Sequence, residues 1–94
     1  MSMRRYVYTA WFCDNRKSPD DQDFEWPACF IIEAATAEEA LSWGDRLARG
    51  FSERRETEVY LKSNIEDESV ASGDLSALPV VRVGQEASDR EIGW

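Results

Sequence analysis

Ala28-Cys29-Phe30-Ile31-Ile32-Glu33-Ala34-Ala35-Thr36-Ala37-Glu38-Glu39-Ala40 is the stretch whose reading decides the fold. Residues 28–34 form a short apolar run with two Ile and one Phe, the length and composition of a largely buried strand. At Ala35-Thr36 the hydrophobic period changes from two to 3.6. Thr36 followed by Glu39 is a capping-box pattern, in which the Thr hydroxyl accepts from the backbone N–H three residues on. Glu38 and Glu39 also suit the positive end of a helix dipole.

The helix that follows continues to about residue 51. With Ala40 as origin, Ala37, Gly44, Leu47, Ala48 and Phe51 fall within about 80° of it, flanked by Leu41 and Trp43. Glu38, Ser42, Asp45, Arg46, Arg49 and Glu53 take the opposite face, and Asp45 and Arg49 have the i,i+4 spacing of a surface ion pair. Gly44 costs about 1 kcal/mol of helix propensity. Close approach of the helix to a sheet accounts for a glycine there.

On the N-terminal side, residues 5–13 read as a strand with even positions Tyr6, Tyr8, Ala10 and Phe12 and odd positions Val7, Thr9, Trp11 and Cys13. Residues 14–27 read as a polar connection with a Ser18-Pro19-Asp20 turn. An antiparallel pairing with Cys13 opposite Cys29 puts all even positions of both strands on one apolar face. The same register makes the two thiols neighbours. On the C-terminal side, residues 58–65 alternate Val59, Leu61, Ser63 and Ile65 against Glu58, Tyr60, Lys62 and Asn64. Residues 66–77 read as an acidic loop, and residues 79–83 as a short edge strand opened by Pro79. Ser88 to Glu91 repeats the capping-box pattern and predicts a helical turn ending at Ile92 and Trp94. The expectation is one α+β domain over residues 1–94, in β-β-α-β-β order. It comprises two layers, a mostly antiparallel sheet of about four strands, one long helix on one face and a short C-terminal helical turn.

The 94 residues carry a formal net charge of −8, which argues against nucleic acid or an anionic membrane as partner. No apolar run approaches the ~20 residues of a spanning helix. Nor does a cleavable leader follow Arg4-Arg5, so the reading is a bacterial-type cytoplasmic protein with free thiols. The chain has no histidine, which removes the usual general base and most zinc sites. Asp21, Asp23 and Glu25 have the first spacings of a calcium loop, but Trp26 stands where its Gly belongs and Ile32 where its Glu belongs. No metal, cofactor or catalytic residue is expected.

Two binding surfaces stand out. Asp20, Asp21, Asp23, Phe24, Glu25 and Trp26 interleave acids and aromatics, as a loop recognising a basic protein would. The competing reading has Phe24 and Trp26 folding back on the sheet. Val7, Trp11 and Ile31 on the odd face, with Trp94, form an apolar patch expected to be covered by a second copy or by the C-terminal tail. The function expected is a small acidic, non-catalytic protein-binding domain, one form of which is an immunity or inhibitor protein against a basic toxin or enzyme. The alternative is a homodimeric α+β domain that binds or converts a small molecule.

Overall fold

A computed structural model describes residues 3–22, 24–55, 57–71, 75–86 and 92. The strands are β1 (Arg4–Asp14), β2 (Glu25–Ala34), β3 (Glu58–Asp67) and β4 (Val80–Arg82), with helix α1 (Ala37–Arg54) between β2 and β3. They form one open mixed sheet in the order β3-β1-β2-β4, with β1 antiparallel to β2 and β3, and β4 parallel to β2. This is an α+β fold with the helix packed on the sheet. Of the expected C-terminal turn, only Ile92 lies within the described residues. It is helical and buried as part of the hydrophobic core.

Helix α1 starts where the sequence places it. Thr36 is the N-cap, and its hydroxyl accepts from the Glu39 N–H at 3.1 Å. Ala40, Gly44, Leu47, Ala48 and Phe51 are its buried residues, whereas Ala37 is exposed. A Cβ added to Gly44 would stand 2.4 Å from Tyr8 Cδ1. The glycine is therefore what lets the Tyr8 ring lie against the helix backbone.

The pairing of β1 with β2 differs from the expected one. Cys13 stands opposite Glu25, and Cys29 opposite Thr9. The shift is four residues, so the even faces still coincide, but the thiols are not neighbours. The reason lies in the aromatic side chains. The observed register stacks Phe12 on Trp26 at 4.9 Å and brings Tyr8 and Phe30 to 5.3 Å, which the expected register could not do. Strand β2 accordingly begins at Glu25, inside what reads as connection in the sequence.

Strand β3 also departs from simple alternation. Trp11 pairs with Lys62 and Phe12 with Tyr60, leaving Leu61 as the extra residue of a β-bulge. The bulge exchanges the faces. Tyr60 turns toward the core and packs edge-on to Phe12 at 6.1 Å, while Val59 is 43% exposed.

Tyr8, Ala10, Phe12, Phe30, Ile32 and Ala34 are all fully buried under the helix. The chain then returns through residues 68–79 from β3 at one edge to β4 at the other. Val7 and Ile31, on the face away from the helix, are buried within the single chain, 8% and 3% exposed.

Candidate functional site

The loop end of the hairpin brings together most of the residues singled out in the sequence. On the odd face, successive rows across the sheet are Asn64–Thr9–Cys29, Lys62–Trp11–Pro27 and Val59–Cys13–Glu25. Of these, Val59, Pro27, Cys29 and Glu25 are exposed and Trp11 is half-buried, with the Lys62 ammonium 5.7 Å from its ring. Leu61, in the bulge alongside, is 41% exposed. The result is an apolar surface around Trp11 with a carboxylate and an ammonium at its margins.

The connection between β1 and β2 closes this end. Asp20 and Asp21 are exposed in it and Phe24 is half-buried; Asp23 lies outside the described residues. Its root is fixed by Asp14. The Asp14 carboxylate accepts from the Arg16 backbone N–H and, on both oxygens, from the Arg16 guanidinium at 3.0 and 2.9 Å. These hydrogen bonds, the side-chain ones foremost, hold the Asp14 pKa down at about 2. Asp14 N–H donates to Phe24 C=O, and Asn15 N–H to Thr57 C=O, so the loop is tied to both neighbouring strands.

Trp26 belongs to the other face. It stacks on Phe12 and meets Phe51 edge-on at 6.1 Å, which spends much of its ring on the helix-side core. Glu25 is thus exposed at the margin of the apolar surface and Asp20 and Asp21 in the adjoining loop, while Trp26 lies on the other face. Trp11 takes that place. Val7 and Ile31 are already covered, and Trp94 lies outside the described residues.

Asp45, read in the sequence as a surface residue, is the centre of the main polar cluster. Its Oδ1 accepts from the Tyr8 hydroxyl at 2.8 Å and from the Ser63 hydroxyl, and the Tyr60 hydroxyl lies 3.1 Å away. Burial, followed by the hydrogen bond to Asp45, holds the Tyr8 phenol far above its ordinary range, so it remains a donor. The cluster ties α1 to β1 and β3. Arg49, the expected ion-pair partner of Asp45, instead lies 5.9 Å over the Tyr60 ring. Nothing in a one-dimensional pattern points to Asp45, because its partners come from two strands distant in sequence.

Glu33 is held between Arg5 at 3.3 Å and Arg82 at 3.0 Å, a charged ladder across β1, β2 and β4. A cleft of about 290 Å³ lies beside it, lined by Arg4, Arg5, Asp67, Glu68 and Ser69. These lining residues are all charged or polar, unlike those of most small-molecule sites. Among the described residues no helix is long and apolar enough to cross a membrane, and no three Cys, Asp or Glu side chains converge as a metal site requires. No family model, curated protein or solved structure matches the chain.

Proposed function

We propose that this chain is a non-catalytic protein-binding domain that presents the loop end of its odd sheet face to a basic protein surface. The observation that carries the reading is the juxtaposition of an exposed apolar surface around Trp11 with Glu25 and the loop bearing Asp20 and Asp21. An apolar centre with a charged rim is the usual anatomy of a protein interface, and Trp is the residue most enriched at its energetic centre. The net charge of −8 would steer a cationic partner toward it. An inhibitor of a basic toxin or enzyme is one form of this function. A bacterial cytoplasm suits the two free thiols.

The test uses three immobilised baits, wild type, Trp11→Ala and Glu25→Lys, offered the same cell extract. A basic protein retained by wild type, released by salt and lost from both variants is the expected result. Identical retention on all three baits would overturn the reading.

A further inference from the structure

The two edges of the sheet are unequal. Strand β4 is three residues long and follows a proline, whereas β3 is ten residues long and, among the described residues, has β1 as its only strand neighbour. The outer side of β3 is closed at one end by the helix. Ser52 Oγ donates to Glu58 C=O at 3.0 Å, and Tyr60 N–H donates to Ser52 Oγ at 3.2 Å. Past the bulge, among the described residues, no hydrogen bond beyond the β1 ladder reaches the backbone of Ser63 or Ile65.

The backbone parity of that open part follows from the ladder. Asn15 donates to Thr57 and Glu68 to Arg5, so odd residues of β1 and their partners Lys62, Asn64 and Glu66 aim their backbone groups at one another. Ser63 and Ile65 therefore aim theirs outward. The Asp67 carbonyl, next in line, is taken by the Val70 and Ala71 amides, which ends the open edge.

We infer that this edge pairs with the same edge of a second copy, antiparallel about a two-fold axis at Asn64. Charge complementarity in that one register singles out a second copy as the occupant. Placing Asn64 opposite Asn64 sets Ser63 opposite Ile65, which exchange their outward N–H and C=O groups, twice by symmetry. The same step sets Lys62 opposite Glu66, also twice. Both residues are exposed. Because their own backbone groups face β1, they fall at non-hydrogen-bonded positions, where side chains across an antiparallel pair come closest. The product is a continuous eight-stranded sheet. The shared edge is short, so the dimer is weak and concentration-dependent. It uses neither Trp11 nor the acidic loop, although Lys62 borders both surfaces.

Sedimentation at about 1 mM chain, where even a millimolar Kd populates dimer, should show self-association of the wild type. Lys62→Glu and Glu66→Lys should each raise Kd by about tenfold, since each opposes like charges twice, and the double variant should restore it. In a Cys29→Ser background, Asn64→Cys should form a covalent dimer on mild oxidation, because Cα atoms about 4.5 Å apart can be bridged. Glu38→Cys, exposed on the helix, should not. A wild type still monomeric at that concentration would overturn the inference. So would a dimer indifferent to both charge swaps that Trp11→Glu dissociates, since the copies would then meet through the sheet face.

Discussion

The two faces of the sheet are built from the same two central strands, yet they obey different rules. On the helix side, every even position of β1 and β2 from Tyr6 to Phe12 and from Ala28 to Ala34 is buried, and the large side chains among them are aromatic or Ile. On the opposite side, burial follows position along the strand. Val7 and Ile31 are covered, Trp11 is half-buried and Cys29 is exposed. The contrast shows that apolar composition alone does not say which surface is core. What decides is whether another element of the chain reaches it.

The sharpest way to test that contrast is to truncate one tryptophan on each face. Trp26→Ala removes a ring stacked on Phe12 and set edge-on to Phe51, and should cost about 3 kcal/mol in denaturant unfolding. Trp11→Ala removes a half-buried ring approached by the Lys62 ammonium, and should cost about 1 kcal/mol. Equal losses would mean that the odd face is as well packed as the even one.

The same contrast explains what was legible in the sequence. Binary patterning assigns residues to faces, and it does so correctly for β1, β2 and the stripe of α1 apart from Ala37 and Asp45, including the reason for Gly44. It is blind to translations that preserve parity. Registers four residues apart place the same side chains on the same face, and only three-dimensional fit chooses between them, here the meeting of Phe12 with Trp26 and of Tyr8 with Phe30. The bulge at Leu61 escaped for a related reason. Alternation from Val59 to Ile65 is perfect on paper, but the helix needs Tyr60 and Ser63 on its side to meet Asp45. At the candidate site, the acidic loop and Trp11 could each be singled out in sequence. That they lie at one end of one face could not, since it depends on the register.

A smaller effect is expected at the contact between helix and sheet. Gly44→Ala gains about 1 kcal/mol of helix propensity, but the new methyl would stand 2.4 Å from a Tyr8 ring that is tethered through its hydroxyl to Asp45. Overpacking of this kind costs ~1–3 kcal/mol. The balance should be a net loss of about 1 kcal/mol, read as a lower thermal midpoint. A stabilised variant would show that the helix can lift off the sheet freely.

The loop root supplies a pH dependence. Asp14 is depressed from 3.8 to about 2 by its hydrogen bonds from Arg16, so it binds a proton more readily unfolded than folded. Its contribution to stability is therefore complete above 3.8 and is lost as pH falls toward about 2. Urea midpoints measured across that window should fall for wild type and fall less for Asp14→Asn. Parallel curves would mean that the Asp14–Arg16 link is not maintained in solution.

The least perturbing experiment concerns the thiols, and it reads the register directly. Cys29→Ser changes an exposed side chain beside Thr9 and should alter stability by less than about 0.5 kcal/mol. Its use is as the control for oxidation. In the observed pairing Cys29 faces Thr9, and Cys13 lies four residues further along β1. At 3.3 Å per residue that separates the two Cα atoms by about 13 Å, roughly twice the span a disulfide can bridge. In the register with Cys13 opposite Cys29 they would be adjacent. Mild oxidation should therefore give no intramolecular disulfide, and any product should be an intermolecular one that Cys29→Ser abolishes. An internal disulfide formed without loss of structure would show that β1 and β2 pair four residues away. That would also take Phe12 off Trp26 and remove Glu25 from the neighbourhood of Trp11, so a single mass measurement checks both the core and the proposed interface.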